Sequence, residues 1–130
     1  MNILVKINFD KKDSTKYADE AIGILVQNGH KCFTDLRDKE NYDNPLMSYE
    51  KIRDILPKID LIVVLGGDGT VLQSVGYALK ADKPILGINI GRVGFLCQLE
   101  KEEIDKLSKI GDRDISYYER MLVEARHITK

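Results

Sequence analysis

The chain has 130 residues, room for one domain and too short for two full ones. Twenty Lys and Arg face 21 Asp and Glu, a net charge of −1 that argues against a general nucleic-acid or polyanion binder. Hydrophobic residues at 43% and charged residues at 32% exclude a disordered tail, and the longest apolar run, 61–65, is too short to span a membrane.

The first residues lack a signal-peptide pattern, because a lysine interrupts a short apolar stretch. Cys32 and Cys97 show neither metal-ligand nor disulfide-framework spacing. Two free thiols in a reducing cytoplasm is the simplest reading.

In chain order, 3–9 reads as a first β-strand and 10–14 as a polar turn. Ser14 is placed to cap a helix running to about Asn28, with Tyr17, Ala18, Ala21, Ile22 and Leu25 at helical spacing. Gly29 sits where a helix end favours a left-handed residue. A second strand is expected over 31–35, then a charged, aperiodic loop over 36–45. Tyr49, Ile52, Ile55 and Leu56 predict a helix that stops at Pro57. The continuous apolar run 60–65 fits a strand buried on both faces of a parallel sheet. A helix is expected over 70–80, a strand over 84–88 and a helix over 102–110 with Ile104, Leu107 and Ile110 on one side.

Strands alternating with helices predict an α/β domain over 1–113, a Rossmann-like, mostly parallel sheet flanked by helices. From Tyr117 the alternation of Met121, Val123 and Ala125 with Leu122, Glu124 and Arg126 reads as a further strand. That strand needs a backbone partner, in the existing sheet, in another chain or in a continuation of this one.

Glycine is distributed unevenly: seven of ten fall between Gly66 and Gly94. The first cluster, Gly66-Gly67-Asp68-Gly69-Thr70, follows a buried strand and opens a helix. Glycines there admit positive φ and close ligand approach. Successive N–H groups can form an anion site, and Thr70 is placed to cap the helix. Asp68 is its only charged side chain, suited to hold Mg²⁺ or accept a proton from a reacting hydroxyl. The bland alternative is ordinary turn chemistry; the position at a strand's carboxyl end favours a site.

The second cluster is Gly87-Ile-Asn-Ile-Gly-Arg-Val-Gly-Phe-Leu96. Asn89 can hydrogen-bond a ribose or amide, and Arg92 can fork onto a phosphate or form a surface ion pair. Phe95, taken alone, reads as core; beside its glycines it can stack on a base. Cys97 reads as packing rather than nucleophile. His30 and His127 have no ligand cluster around them, and no metal-ligand residues are assigned.

Together the two clusters resemble the NAD kinase family. The first matches that family's GGDGT motif in full, and the second is similar to its Gly-Val-Asn-x-Gly-x-Leu-Gly-Phe-Leu element, with Val93 for the usual leucine. The stretch from Tyr118 to Leu122 resembles the crossing into a second domain, which implies that 114–130 begins a further, β-rich domain. The resemblance implies phosphoryl transfer from ATP or polyphosphate, with Mg²⁺, to the adenosine-ribose 2′-hydroxyl of NAD. It implies Asp68 as the general base or orienting group, with Gly66, Gly67, Gly69 and Thr70 shaping the turn near the phosphates. Phe95 then lies along the NAD pocket, with Asn89 and Arg92 beside it. It also implies a homo-oligomer and a second domain carrying an Asn-Glu or Asn-Asp pair, without which the present chain is expected to be nearly inactive. GGDGT is shared with lipid kinases of the diacylglycerol-kinase type. A non-catalytic nucleotide-binding module is the other alternative. Nucleic-acid and membrane partners are not expected.

Overall fold

The computed structural model describes residues 1–92 and 94–111. The strand expected from Tyr117, the second domain expected at 114–130, and His127 lie outside them. Strands β1 (Asn2–Ile7), β2 (Lys31–Asp35), β3 (Met47–Glu50), β4 (Leu61–Gly66), β5 (Ile85–Asn89) and β6 (Leu99–Glu100) form one sheet in the order β3-β2-β1-β4-β5-β6. Every pairing is parallel, as the α/β reading expects. The chain builds outward from β1 to β3, then returns to lay β4 on the other side of β1. The carboxyl ends of β1 and β4 therefore diverge into a crevice, where open α/β sheets bind ligands.

Side-chain alternation sorts the core into two layers. Ile3, Val5, Leu61, Val63 and Leu65 face α1 (Ser14–Gln27) and a 3₁₀ segment, Lys101–Lys109. Leu4, Ile62 and Val64 face the opposite way, onto α2 (Ile52–Ile55) and α3 (Asp68–Ala81). All six residues of β4 are buried, which accounts for its unbroken apolar run.

Four local expectations need correction. Ser14 is the first residue of α1 rather than its cap; Asp13, in the left-handed region at φ 59°, holds the cap position. Tyr49 lies in β3, not in a helix. Its phenol donates to the Tyr42 carbonyl and accepts the Asn44 N–H at 2.8 Å, so the edge strand is fastened to the loop before it. The loop expected over 36–45 contains a 3₁₀ turn, Leu36–Glu40, capped by Asp35, whose carboxylate accepts the Arg37 N–H at 3.0 Å. The segment 101–109 is 3₁₀ rather than α-helical. Ile104, Leu107 and Ile110 recur every third residue and are all buried, and three residues per turn aligns them better than 3.6. Glu100 and Glu103 close a capping box at its start. The two-residue strand β6 is a further element that the sequence reading lacks; it is too short to show periodicity.

No helix among the described residues is long and apolar enough to cross a membrane.

Candidate functional site

The register of the sheet sets the site. Gly66 pairs with Asn89 across β4 and β5, and Asn89 pairs with Glu100 across β5 and β6. The Gly66 carbonyl accepts the Ile90 N–H at 2.9 Å, and the Leu65 carbonyl accepts the Asn8 N–H at 2.8 Å. Both glycine clusters therefore begin side by side on the carboxyl edge, next to the loop that follows β1.

In the first cluster, α3 begins at Asp68 with Gly67 as its cap residue. Thr70 is thus inside the first turn, not the cap that its residue type suggests. Gly67 has an extended φ of −142°, and among the described residues only Gly29 and Gly111 are glycines with positive φ. The requirement at Gly66 is proximity instead. A Cβ there would stand 2.7 Å from Cβ of Thr70 and closer still to its hydroxyl. The turn folds back on itself tightly enough that only hydrogen fits.

In the second cluster, Asn89 is buried and organises the turn. Its Oδ1 accepts the Gly91 N–H at 3.1 Å, while Nδ2 donates to the Arg92 carbonyl and, at 3.1 Å, to Glu100. Its amide is thereby engaged within the protein. Gly87 N–H donates to Gln98 Oε1 at 2.7 Å, folding the chain after Phe95 back along β5.

Asp68 joins the two clusters. Its Oδ1 accepts the backbone N–H of Phe95 at 3.0 Å and of Leu96 at 2.9 Å; Oδ2 takes only a longer arm, 3.2 Å, from Phe95. A carboxylate offers about four lone-pair positions, so Oδ2 keeps accepting capacity. Phe95 itself is 86% exposed. The reading of Phe95 as core is therefore wrong: its backbone is pinned by Asp68 while its ring points to solvent. Arg92 is exposed as well. Cys97 packs against Gly87, and burial, with Asp68 and Glu100 adding negative charge, pushes its thiol up to about 11. That is the behaviour of a packing residue, not of a nucleophile.

Two clefts open along this edge. One, of about 460 Å³, lies at the crevice between β1 and β4 and is lined by Lys6, Asn8, Thr70, Ser74 and Tyr77 among others. Lys6 Nζ lies 3.9 Å from Asp38 and 5.5 Å from the centre of the Tyr77 ring. The second, of about 520 Å³, runs past Gly67, Asp68, Asn89 and Arg92 and is lined further by Lys11, Lys12 and Lys101. Asp10 borders both clefts. The structure thus gathers Gly67, Asp68, Asn89 and Arg92 into one cleft and puts Thr70 in the other. Gly66 and Gly69 line neither.

Sequence reasoning missed the lysines. Lys11 and Lys12 stand just after the first strand, and only the topology carries them beside the Gly66–Thr70 turn. The available signal was position: the loop after β1 must end on the same sheet edge as the loop after β4.

Residues 3–111 match the family model described as the ATP-NAD kinase N-terminal domain. The NAD kinase of Caldicellulosiruptor saccharolyticus is 36% identical over 126 residues, which is 96% of this chain and 43% of that protein. The NAD kinase of Heliobacterium modesticaldum is 44% identical over 79 residues, 60% of this chain and 28% of that protein. The chain thus spans less than half the length of these relatives. Among solved structures, the fold is similar to that of yeast NADH kinase complexed with NADH, with a TM-score of 0.65 at 18% identity over 96% of this chain and 38% of the other.

Proposed function

This chain belongs to the ATP-NAD kinase family as its N-terminal domain, and on that premise we propose that it supplies the catalytic turn for phosphorylation of the adenosine-ribose 2′-hydroxyl of NAD, giving NADP. The observation that carries the reading is the seat of Asp68. One side chain, at the start of α3, binds the backbone of the second glycine cluster and borders an open cleft with Oδ2 underused.

Phosphoryl transfer asks a protein mainly for positioning and charge compensation. The 2′-hydroxyl oxygen forms a bond to the terminal phosphorus, and the bond from that phosphorus to the bridging oxygen breaks. The bridging oxygen leaves with the electron pair, as ADP or a shortened polyphosphate. Asp68 Oδ2 receives or directs the hydroxyl proton. The Phe95 ring offers a face for a base, and Asn89 acts through the turn that it holds rather than by direct contact. Arg92, at the cleft edge, meets phosphate oxygens.

Mg²⁺ fits as a companion of the donor rather than as a resident of the protein. Asp10 and Asp68 are the carboxylates lining the second cleft, and one or two carboxylates plus substrate phosphates is a usual Mg²⁺ environment. When bound, the ion neutralises phosphate charge. A cytoplasmic, homo-oligomeric enzyme is the setting that accompanies this reading.

The test is Asp68→Asn in the natural full-length protein, followed by NADP formation. The amide oxygen still accepts from Phe95 and Leu96, so folding is expected to hold while kcat falls by about 10²–10⁴-fold. A near wild-type rate would remove Asp68 from the chemistry.

A further inference from the structure

We propose that Lys11 is a binding residue for the donor's polyphosphate chain, held in place by the absence of a side chain at Gly91. The proposal rests on the kinase reading above and adds to it the residue that receives the donor.

The backbone of Lys11 is fixed by a short turn. Its N–H donates to the Asn8 carbonyl at 3.2 Å, its own carbonyl accepts the Ser14 N–H at 3.2 Å, and Asn8 Oδ1 accepts the Asp10 N–H at 3.0 Å. From that turn the side chain lies across Gly91. Its Nζ, Cε and Cδ stand 3.2, 3.3 and 3.4 Å from the point a Cβ on residue 91 would occupy. Three successive atoms of the stem lie along a bare stretch of backbone, so the half-buried lysine has a defined seat. The Gly91 turn is itself held by Asn89 Oδ1. Among the described residues, no ion pair within 4 Å claims the Lys11 ammonium.

The surroundings identify the ligand. Lys12, Arg92 and Lys101 line the same cleft as Lys11, and the carboxylates lining it are Asp10 and Asp68. Among the described residues, four cations from three separate segments line the cleft with two anions, although the whole chain is near neutral. A cleft of one sign concentrates ligands of the other. A linear triphosphate suits this local excess better than a dinucleotide, whose two phosphates carry less charge. Geometry points the same way. The reacting hydroxyl must reach Asp68, and the attacked phosphorus must lie within about 3–3.5 Å of that hydroxyl. The donor chain therefore runs through the cleft that Asp68 and Lys11 share.

The experiment measures binding of inorganic tripolyphosphate by calorimetry to the natural full-length protein and its variants, with KM values for ATP and NAD alongside. Lys11→Met is expected to weaken tripolyphosphate roughly tenfold or more and to raise KM for ATP in parallel, with KM for NAD little changed. Lys11→Arg should recover part of the loss, since the charge returns without the fitted stem. Gly91→Ala, which leaves the ammonium intact but takes its seat, should weaken tripolyphosphate in the same direction. If Lys11→Met binds tripolyphosphate as the wild type does, or raises KM for NAD alone, the proposal fails. Should Lys11→Met not fold, Gly91→Ala decides it by the same measurement. Absence of NADP formation by the wild type would instead sink the kinase reading, and the tripolyphosphate titration would still judge Lys11.

Discussion

A Cβ on residue 94 would stand 2.9 Å from Oδ1 of Asp68, so the carboxylate occupies space that only glycine leaves open. The obstacle such a Cβ meets is the end of a short side chain, which can swing away at modest energetic cost. Gly94→Ala is therefore expected to displace Asp68 from the Phe95 and Leu96 N–H groups while leaving the core untouched. NADP formation by the full-length variant should fall at least tenfold with a thermal midpoint close to wild type. A variant that loses stability but keeps its rate per folded molecule would show that Asp68 does not depend on Gly94.

Gly66→Ala should behave in the opposite way. Here the added methyl meets Thr70 at its own Cβ, 2.7 Å away, and that atom is fixed by the helix backbone. Neither partner can rotate clear, so the turn or the first residues of α3 must shift. Overpacking of this kind costs about 1–3 kcal/mol. Chemical denaturation of the variant should report a loss in that range. An unchanged midpoint would mean that the turn has room the packing does not show.

The two glycines also show what the sequence disclosed and what it hid. The unbroken apolar run of β4, the helical spacing in α1 and α3 and the strand–turn–helix context of Gly66–Thr70 were legible because each is a local pattern with a physical cause. Four of the six strands, β1, β2, β4 and β5, with the glycine clusters on one edge of a parallel sheet, follow from them. The reason for the glycines was not legible, since it lies in close approaches to Thr70 and Asp68 rather than in positive φ. β3 was hidden because Tyr49, Ile52 and Ile55 share a spacing that a strand followed by one helical turn also produces. The 3₁₀ form of 101–109 stood in the strict three-residue spacing of Ile104, Leu107 and Ile110, read there as a helix of the commoner kind. Lys11 carries no motif at all, and only the parallel pairing of β1 with β4 brings it to Asp68's cleft.

The two thiols should be unreactive in the folded chain. Burial pushes Cys32 up to about 12 and, with Asp68 and Glu100 nearby, Cys97 up to about 11, from an ordinary value of 9.0. The thiolate is the nucleophile. At pH 8 the Cys97 thiolate fraction is thus roughly 100-fold below that of a free thiol. A chromogenic disulfide reagent should modify neither cysteine quickly at pH 8 and both quickly after unfolding in denaturant. The native Cys97 rate should keep climbing with pH beyond 9. A fast phase of one thiol per folded chain would contradict the packing role.

His30 links three distant parts of the domain. Its Nδ1 accepts from the Met1 ammonium at 2.9 Å, and its Nε2–H donates to the Ile110 carbonyl at 2.9 Å. The bond from the ammonium needs the neutral ring, because a proton on Nδ1 would face that positive charge; the bond to Ile110 forms with either ring. Burial, reinforced by that positive charge and opposed by the Ile110 carbonyl, holds His30 below its ordinary value of 6.5. Above pH 6.5 the ring is neutral in both folded and unfolded chains, and stability is complete. Below it the unfolded chain takes up a proton that the folded chain does not, so stability falls as pH drops through the window beneath 6.5. Denaturant midpoints at pH 7.5, 6.5 and 5.5 should decline for the wild type. His30→Asn should start lower and decline less, with the shared carboxylate titration cancelling in the difference. Parallel curves for the two proteins would mean that His30 carries no proton-linked stability.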